Sequence, residues 1–121
     1  MLKIRKVENY IFMWFINTYT PRAIELTIKK SFDNNKIVSI LGARKSGKST
    51  VVEHLYPNIN FVSLKTDFLA TQAKDNLDSF IKGLKIPSFI DEVQKAPRIF
   101  GSLQEVVDNN NLYSQFISLY F

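Results

Sequence analysis

The chain contains no cysteine, so disulfides, zinc–thiolate centres and thiol nucleophiles are excluded at once. Its single histidine, His54, rules out a histidine-rich metal site. No recognition helix, RNA-binding signature or dense basic stripe is visible. No internal repeat, low-complexity tract or interdomain linker interrupts the 121 residues. Long apolar runs are lacking as well: "YIFMWFI" (10–16) is far too short to cross a bilayer. Preceded by Lys3, Arg5 and Lys6, that run faintly resembles an export signal, but no small-residue cleavage site follows it. The reading is an aromatic segment packed on a domain, with no membrane partner and a cytoplasmic location.

What remains is an ordinary globular composition, 45% hydrophobic and 22% charged, of a length that suits one domain with a modest core. Sixteen basic against eleven acidic residues give a formal charge of +5. That excess favours polyanions, nucleotides or nucleic acid, without specifying either.

Strands alternate with helices along the chain. Pro21, with Thr20 as N-cap, opens a helix to about residue 32, because Ile24, Ile28 and Phe32 recur every four residues. "KIVSIL" (36–41) is a short β-branched run and reads as a buried strand. A loop follows, then a helix with Val51, Val52 and Leu55 on its apolar face, ended by Pro57. "NFVSL" (60–64) and "PSFID" (87–91) are further strands, separated by helical spacing of Leu77, Phe80, Ile81 and Leu84. Ile99, Phe100, Leu103, Val106 and Val107 mark a last helix before the strand-like "QFISLYF" (115–121). The alternation predicts an α/β domain with a mainly parallel sheet.

Between the first of these strands and its helix, Gly42-Ala43-Arg44-Lys45-Ser46-Gly47-Lys48-Ser49 fits G-x-x-x-x-G-K-[ST] at every fixed position. The glycines permit turns closed to other residues and let phosphate oxygens approach backbone N–H groups. The helix that follows points its positive end at the same place. Lys48 is a mobile cation for the β- and γ-phosphates, Ser49 a hydroxyl for Mg²⁺, and Thr50 a hydrogen-bonding partner for a neighbouring phosphate. Arg44 and Lys45 stand at the loop tip, where basic side chains either touch phosphate or are simply solvated. His54, on the following helix, reads as a packing or surface residue.

The second constellation is Asp91-Glu92, directly after an apolar strand. Behind a phosphate loop, an aspartate here can orient water on Mg²⁺. The adjacent glutamate can polarise a water in line with the γ-phosphate. That pairing points to hydrolysis, since a small-molecule kinase needs the first acid and not the second.

With both motifs in view, the sequence resembles the prokaryotic ATPases of AAA+ type whose second motif reads like "IDEVQKAP". The resemblance covers about residues 19–117: "YTPR" (19–22) ahead of the first helix, "LGARKSGKST" with its glycine-x-arginine form, "FIDEVQKAP", and Val107-Asp108 closing the next helix. It implies a three-layer P-loop sandwich with sheet order 5-1-4-3-2, ATP and Mg²⁺ as ligands, and Lys48, Ser49, Asp91 and Glu92 in the roles given above. It also implies an N-terminal extension, 1–18, before an ATP-binding domain, 19–121. In this group a second domain of unknown function usually follows, sometimes likened to nuclease folds.

The chain departs from that pattern at its end. Ser118-Leu119-Tyr120-Phe121 stands where relatives place a polar residue that senses the γ-phosphate, and Ser118 lies inside the strand rather than at its tip. The expectation is a truncated, incomplete sheet with its fifth strand missing, which leaves strand 36–41 bare as an edge. The arginine finger and the C-terminal domain or partner protein are expected to be missing too. Function then divides into a Mg-dependent ATPase module, a remnant that binds nucleotide weakly or does not fold stably and has no turnover, and a nucleic-acid-binding module suggested by charge alone.

Overall fold

Ile37, Val38 and Ile40 are completely buried, and a strand apolar on both sides needs a helical layer on each. A computed structural model, which describes residues 2–7, 10–15, 21–41 and 48–120, supplies both layers. In chain order the elements are β1 (Leu2–Val7), β2 (Tyr10–Phe15), α1 (Pro21–Asn34), β3 (Ile37–Leu41), α2 (Lys48–Leu55), β4 (Asn60–Ser63), α3 (Asp67–Asp75) and α4 (Leu77–Lys82). They continue with β5 (Ser88–Asp91), a 3-10 turn (Val93–Lys95), α5 (Ile99–Asp108) and β6 (Phe116–Tyr120). Pro21 takes the first position of α1, as its missing N–H allows. Its expected N-cap, Thr20, lies outside the described residues.

The strands form one six-stranded sheet in the order β1-β2-β3-β6-β5-β4. All neighbours run parallel except the antiparallel pair β1 and β2. Side chains alternate across the sheet, so each strand feeds two cores. Val38, Ile40, Ile117 and Phe89 pack with Ile24, Ile28 and Phe32 of α1 and Val51 and Val52 of α2. On the other side Ile37, Ile90 and Phe116 pack with Ala73 of α3, Ile81 of α4 and Ile99, Leu103 and Val107 of α5.

The expected missing strand is corrected here. β3 is not an edge: β2 pairs with it in parallel from Tyr10↔Ile37 to Trp14↔Leu41. The aromatic run expected to pack on the domain is therefore a strand inside the sheet. Its alternation explains why: Ile11 and Met13 enter the α1–α2 core while Tyr10 enters the other. A parallel neighbour can reach β3 from either direction along the chain, and here it comes from upstream.

The sequence reading also passed over α3. Its buried face consists only of Ala70 and Ala73, too small to stand out as an apolar stripe. Its start is signalled by Thr66, whose hydroxyl accepts a hydrogen bond from the Leu69 N–H at 3.4 Å.

Two buried polar groups tie the layers together. The Lys36 ammonium donates to the carbonyls of Val107 at 3.0 Å and Asn110 at 2.6 Å. It thereby caps the negative end of α5. Across the sheet, the Ser39 hydroxyl donates to Tyr10 Oη at 3.0 Å and lies 2.7 Å from the Ser118 hydroxyl. This chain joins β2, β3 and β6, and burial pushes the Tyr10 phenol up to about 12.

Met13 is completely buried, so Met13→Ala is expected to destabilise the protein by about 2–4 kcal/mol in urea unfolding. A segment lying outside the fold would tolerate the change with no measurable shift.

Candidate functional site

A parallel sheet delivers the carboxyl ends of its strands to one edge, and ligands of open α/β sheets gather there. β3 leaves this edge into residues 42–47, and the chain re-enters regular structure as α2 at Lys48. Gly42, Ala43, Arg44, Lys45, Ser46 and Gly47 lie outside the described residues. Lys48 and Ser49 are the first two residues of α2, where free N–H groups and the helix dipole favour an anion. Thr50, in the same turn, is exposed.

Asp91 ends β5 at this edge. It is in register with Leu119 of β6, which is also the partner of Ile40 in β3. Two strand spacings, about 10 Å, therefore separate Asp91 from the last turn of chain before the loop. Alternation puts its side chain on the α1–α2 side, with Phe89. Its Oδ1 is enclosed and has no hydrogen-bond partner among the described residues. Burial, first of all, raises the Asp91 carboxyl above its ordinary value, and the charges of Glu92 and, more weakly, Glu53 push the same way. The Glu92 backbone N–H and the charge of Lys65 offset part of that rise.

Glu92 follows with φ 57° and ψ 46°, in the left-handed region. A residue with a Cβ pays on the order of 1–3 kcal/mol to stand there, and such outliers concentrate at functional positions. Glu92 is only 3% exposed. Gln94 Nε2 donates to its Oε1 at a long 3.5 Å, and its carbonyl accepts from the Lys95 N–H at 3.1 Å, closing the 3-10 turn. The structure thus brings Asp91 and Glu92 together at the edge where Lys48 and Ser49 begin their helix. Gln94 was missed in the sequence, where its one signal is its place two residues after Glu92.

The remaining candidates fall elsewhere. Ser118 is completely buried and engaged with Ser39, so it is a core hydroxyl and not a strand-tip group. His54 Nδ1 lies 2.7 Å from Glu25 Oε1, with the ring 74% exposed, and forms a surface link between α2 and α1.

Among the described residues no group of three or more His, Asp or Glu side chains could hold a metal ion. Mg²⁺ does not require one, since it is commonly bound through one or two protein oxygens, substrate phosphates and water. The enclosed, partnerless Asp91 Oδ1 fits that requirement, because a buried acceptor without a donor is costly until a cation or ordered water meets it.

With this geometry in place, a sequence model of the AAA domain family matches residues 34–119, from the end of α1 into β6. No curated protein and no solved structure matches the chain. No helix among the described residues is long and apolar enough to cross a membrane.

The raised Asp91 carboxyl makes a signed prediction for the ligand-free protein. The folded state holds this proton more tightly than the unfolded state, so its ionisation costs stability as pH rises through the unfolded and then the folded value. Asp91→Asn is therefore expected to be more stable than the parent at pH 7 in urea unfolding. The advantage should vanish as pH falls below about 4, the ordinary aspartate value.

Proposed function

The chain belongs to the AAA domain family, and on that premise we propose that it binds ATP with Mg²⁺ and hydrolyses the terminal phosphate. The observation that supports this most directly is the enclosed oxygen of Asp91, without a partner among the described residues, two strands from β3 and at the same edge as the first turn of α2. In this reading the backbone of Gly42, Ala43, Arg44, Lys45, Ser46 and Gly47 wraps the triphosphate. Lys48 neutralises the β- and γ-phosphates, and Thr50 hydrogen-bonds a neighbouring one. Ser49 and Asp91 hold the magnesium, Asp91 through a water. Mg²⁺ would supply charge neutralisation on the phosphate oxygens.

Glu92 is the residue we assign to water. Its carboxylate lies beside Asp91 and is buried, so it can orient a water and polarise it toward the phosphorus. The left-handed backbone at Glu92 is consistent with a side chain whose position matters more than its local comfort. Faster turnover is proposed for an assembly in which a partner contributes an arginine, a contribution worth a thousandfold or more. A cytoplasmic setting is part of the same proposal. The sheet completed by β2 speaks against a remnant that fails to fold.

A labelled ATP analogue is expected to bind in the presence of magnesium, and Lys48→Ala should weaken that binding tenfold or more. Glu92→Gln should keep the binding and slow phosphate release by about a hundredfold. Absence of binding at millimolar analogue with magnesium would sink the proposal.

A further inference from the structure

Trp14, Leu41 and Tyr120 stand in one row across β2, β3 and β6, because Leu41 is the register partner of both aromatics. Alternation puts the row on the α5 side of the sheet, with Tyr10 and Phe12. The Tyr10 and Phe12 rings stack, with centroids 4.6 Å apart and planes 11° apart. Phe100 of α5 lies 6.4 Å from Tyr10 and 6.4 Å from Tyr120, joining the two ends of the group. Tyr10 is anchored in the core, whereas Phe12, Trp14 and Phe100 are half-buried and Tyr120 is exposed.

Beside this ledge runs β1, on which Ile4, Arg5, Lys6 and Val7 are all exposed. No helical layer therefore covers these four residues. Arg5 is directly opposite Phe12 in the antiparallel register, and Lys3 is opposite Trp14. Opposed residues of an antiparallel pair share a side of the sheet. Arg5 thus borders the aromatic group. The two strands contain no acidic residue, and of their cations Arg5 is on this side while Lys6, opposite Ile11, is on the other. The sequence alone shows no basic stripe because the aromatics and cations come from four separate elements.

Cations beside half-open rings on a sheet face match one kind of partner. A single strand of nucleic acid offers phosphodiesters to the cations and unpaired bases to the rings, and stacking tolerates any base. A duplex hides those base faces, and an acidic peptide has no planar group for the rings. We propose that single-stranded nucleic acid lies across β1 and β2, with its backbone toward Arg5 and its bases against Phe12, Trp14 and Tyr120. This goes beyond the ATP reading and does not rest on it. The rival explanation is purely structural: charges on an edge strand discourage pairing with other chains.

Trp14 is the sole tryptophan, so its fluorescence reports on this surface alone. Titration of the full chain with an oligothymidylate of roughly fifteen nucleotides is expected to quench it. The affinity should fall with added salt on a log–log slope of about −0.7 to −1.4, for one or two phosphates neutralised. Arg5→Glu and Tyr120→Ala should each weaken binding about tenfold, while Arg5→Glu keeps its melting temperature and its affinity for a labelled ATP analogue. Should either variant fail to fold, Arg5→Gln and Tyr120→Leu carry the same expectation with a smaller loss. The proposal is overturned if no quench occurs, or if binding is indifferent to these substitutions, as edge protection alone would require. It is equally overturned if a duplex or an oligoglutamate of equal charge competes as well as the oligothymidylate.

Discussion

The lateral pairing of β3 is the constraint on which the rest of this structure depends. Its residues are apolar except for Ser39 and buried on both faces up to Leu41, so neither its backbone groups nor its side chains can turn to water. β2 on one side and β6 on the other satisfy both edges. The hydroxyls of Tyr10, Ser39 and Ser118, which would be costly alone in such a place, partner one another across the same three strands. The chain therefore enters the glycine-containing loop from a strand with no freedom to shift, and the first turn of α2 is held by Val51 and Val52 in the adjoining core.

Unfavourable terms collect at one edge of an otherwise satisfied sheet. Asp91 keeps a buried oxygen with no donor among the described residues, its charge is opposed by Glu92, and Glu92 occupies a backbone region suited to glycine. Each costs free energy in the unliganded protein, and none serves the core. Electrostatics gives them a common sense: carboxylates deprived of water interact more strongly with whatever cation or polarisable water arrives. The contrast with Lys36 is instructive, because that buried charge is fully engaged by the carbonyls ending α5.

The amino-terminal hairpin has two sides to its role. Toward the interior, β2 closes the gap beside β3 and gives Met13 to one core and Tyr10 to the other. Toward solvent, β1 and the aromatic side chains of β2 leave a cationic, ring-lined surface next to the edge at which β3 ends. A strand that merely filled a vacancy would not need both characters.

Local pattern made much of this legible. The spacing of Ile24, Ile28 and Phe32 set α1, the apolar runs set β3, β5 and β6, and the fixed residues from Gly42 to Ser49 and the Asp91-Glu92 pair named the candidate site. These are short-range signals, written in neighbours along the chain. Who pairs with β3, where Ser118 points, how Asp91 Oδ1 comes to be enclosed and how Arg5 meets Phe12 depend on residues far apart in sequence, and pairing across a sheet leaves no local trace. The sequence alone determined most of the helices and core strands and the candidate side chains; the tertiary structure decided the strand order and the surroundings of each group, because hydrogen bonds between strands and burial are properties of contacts that only the folded chain makes.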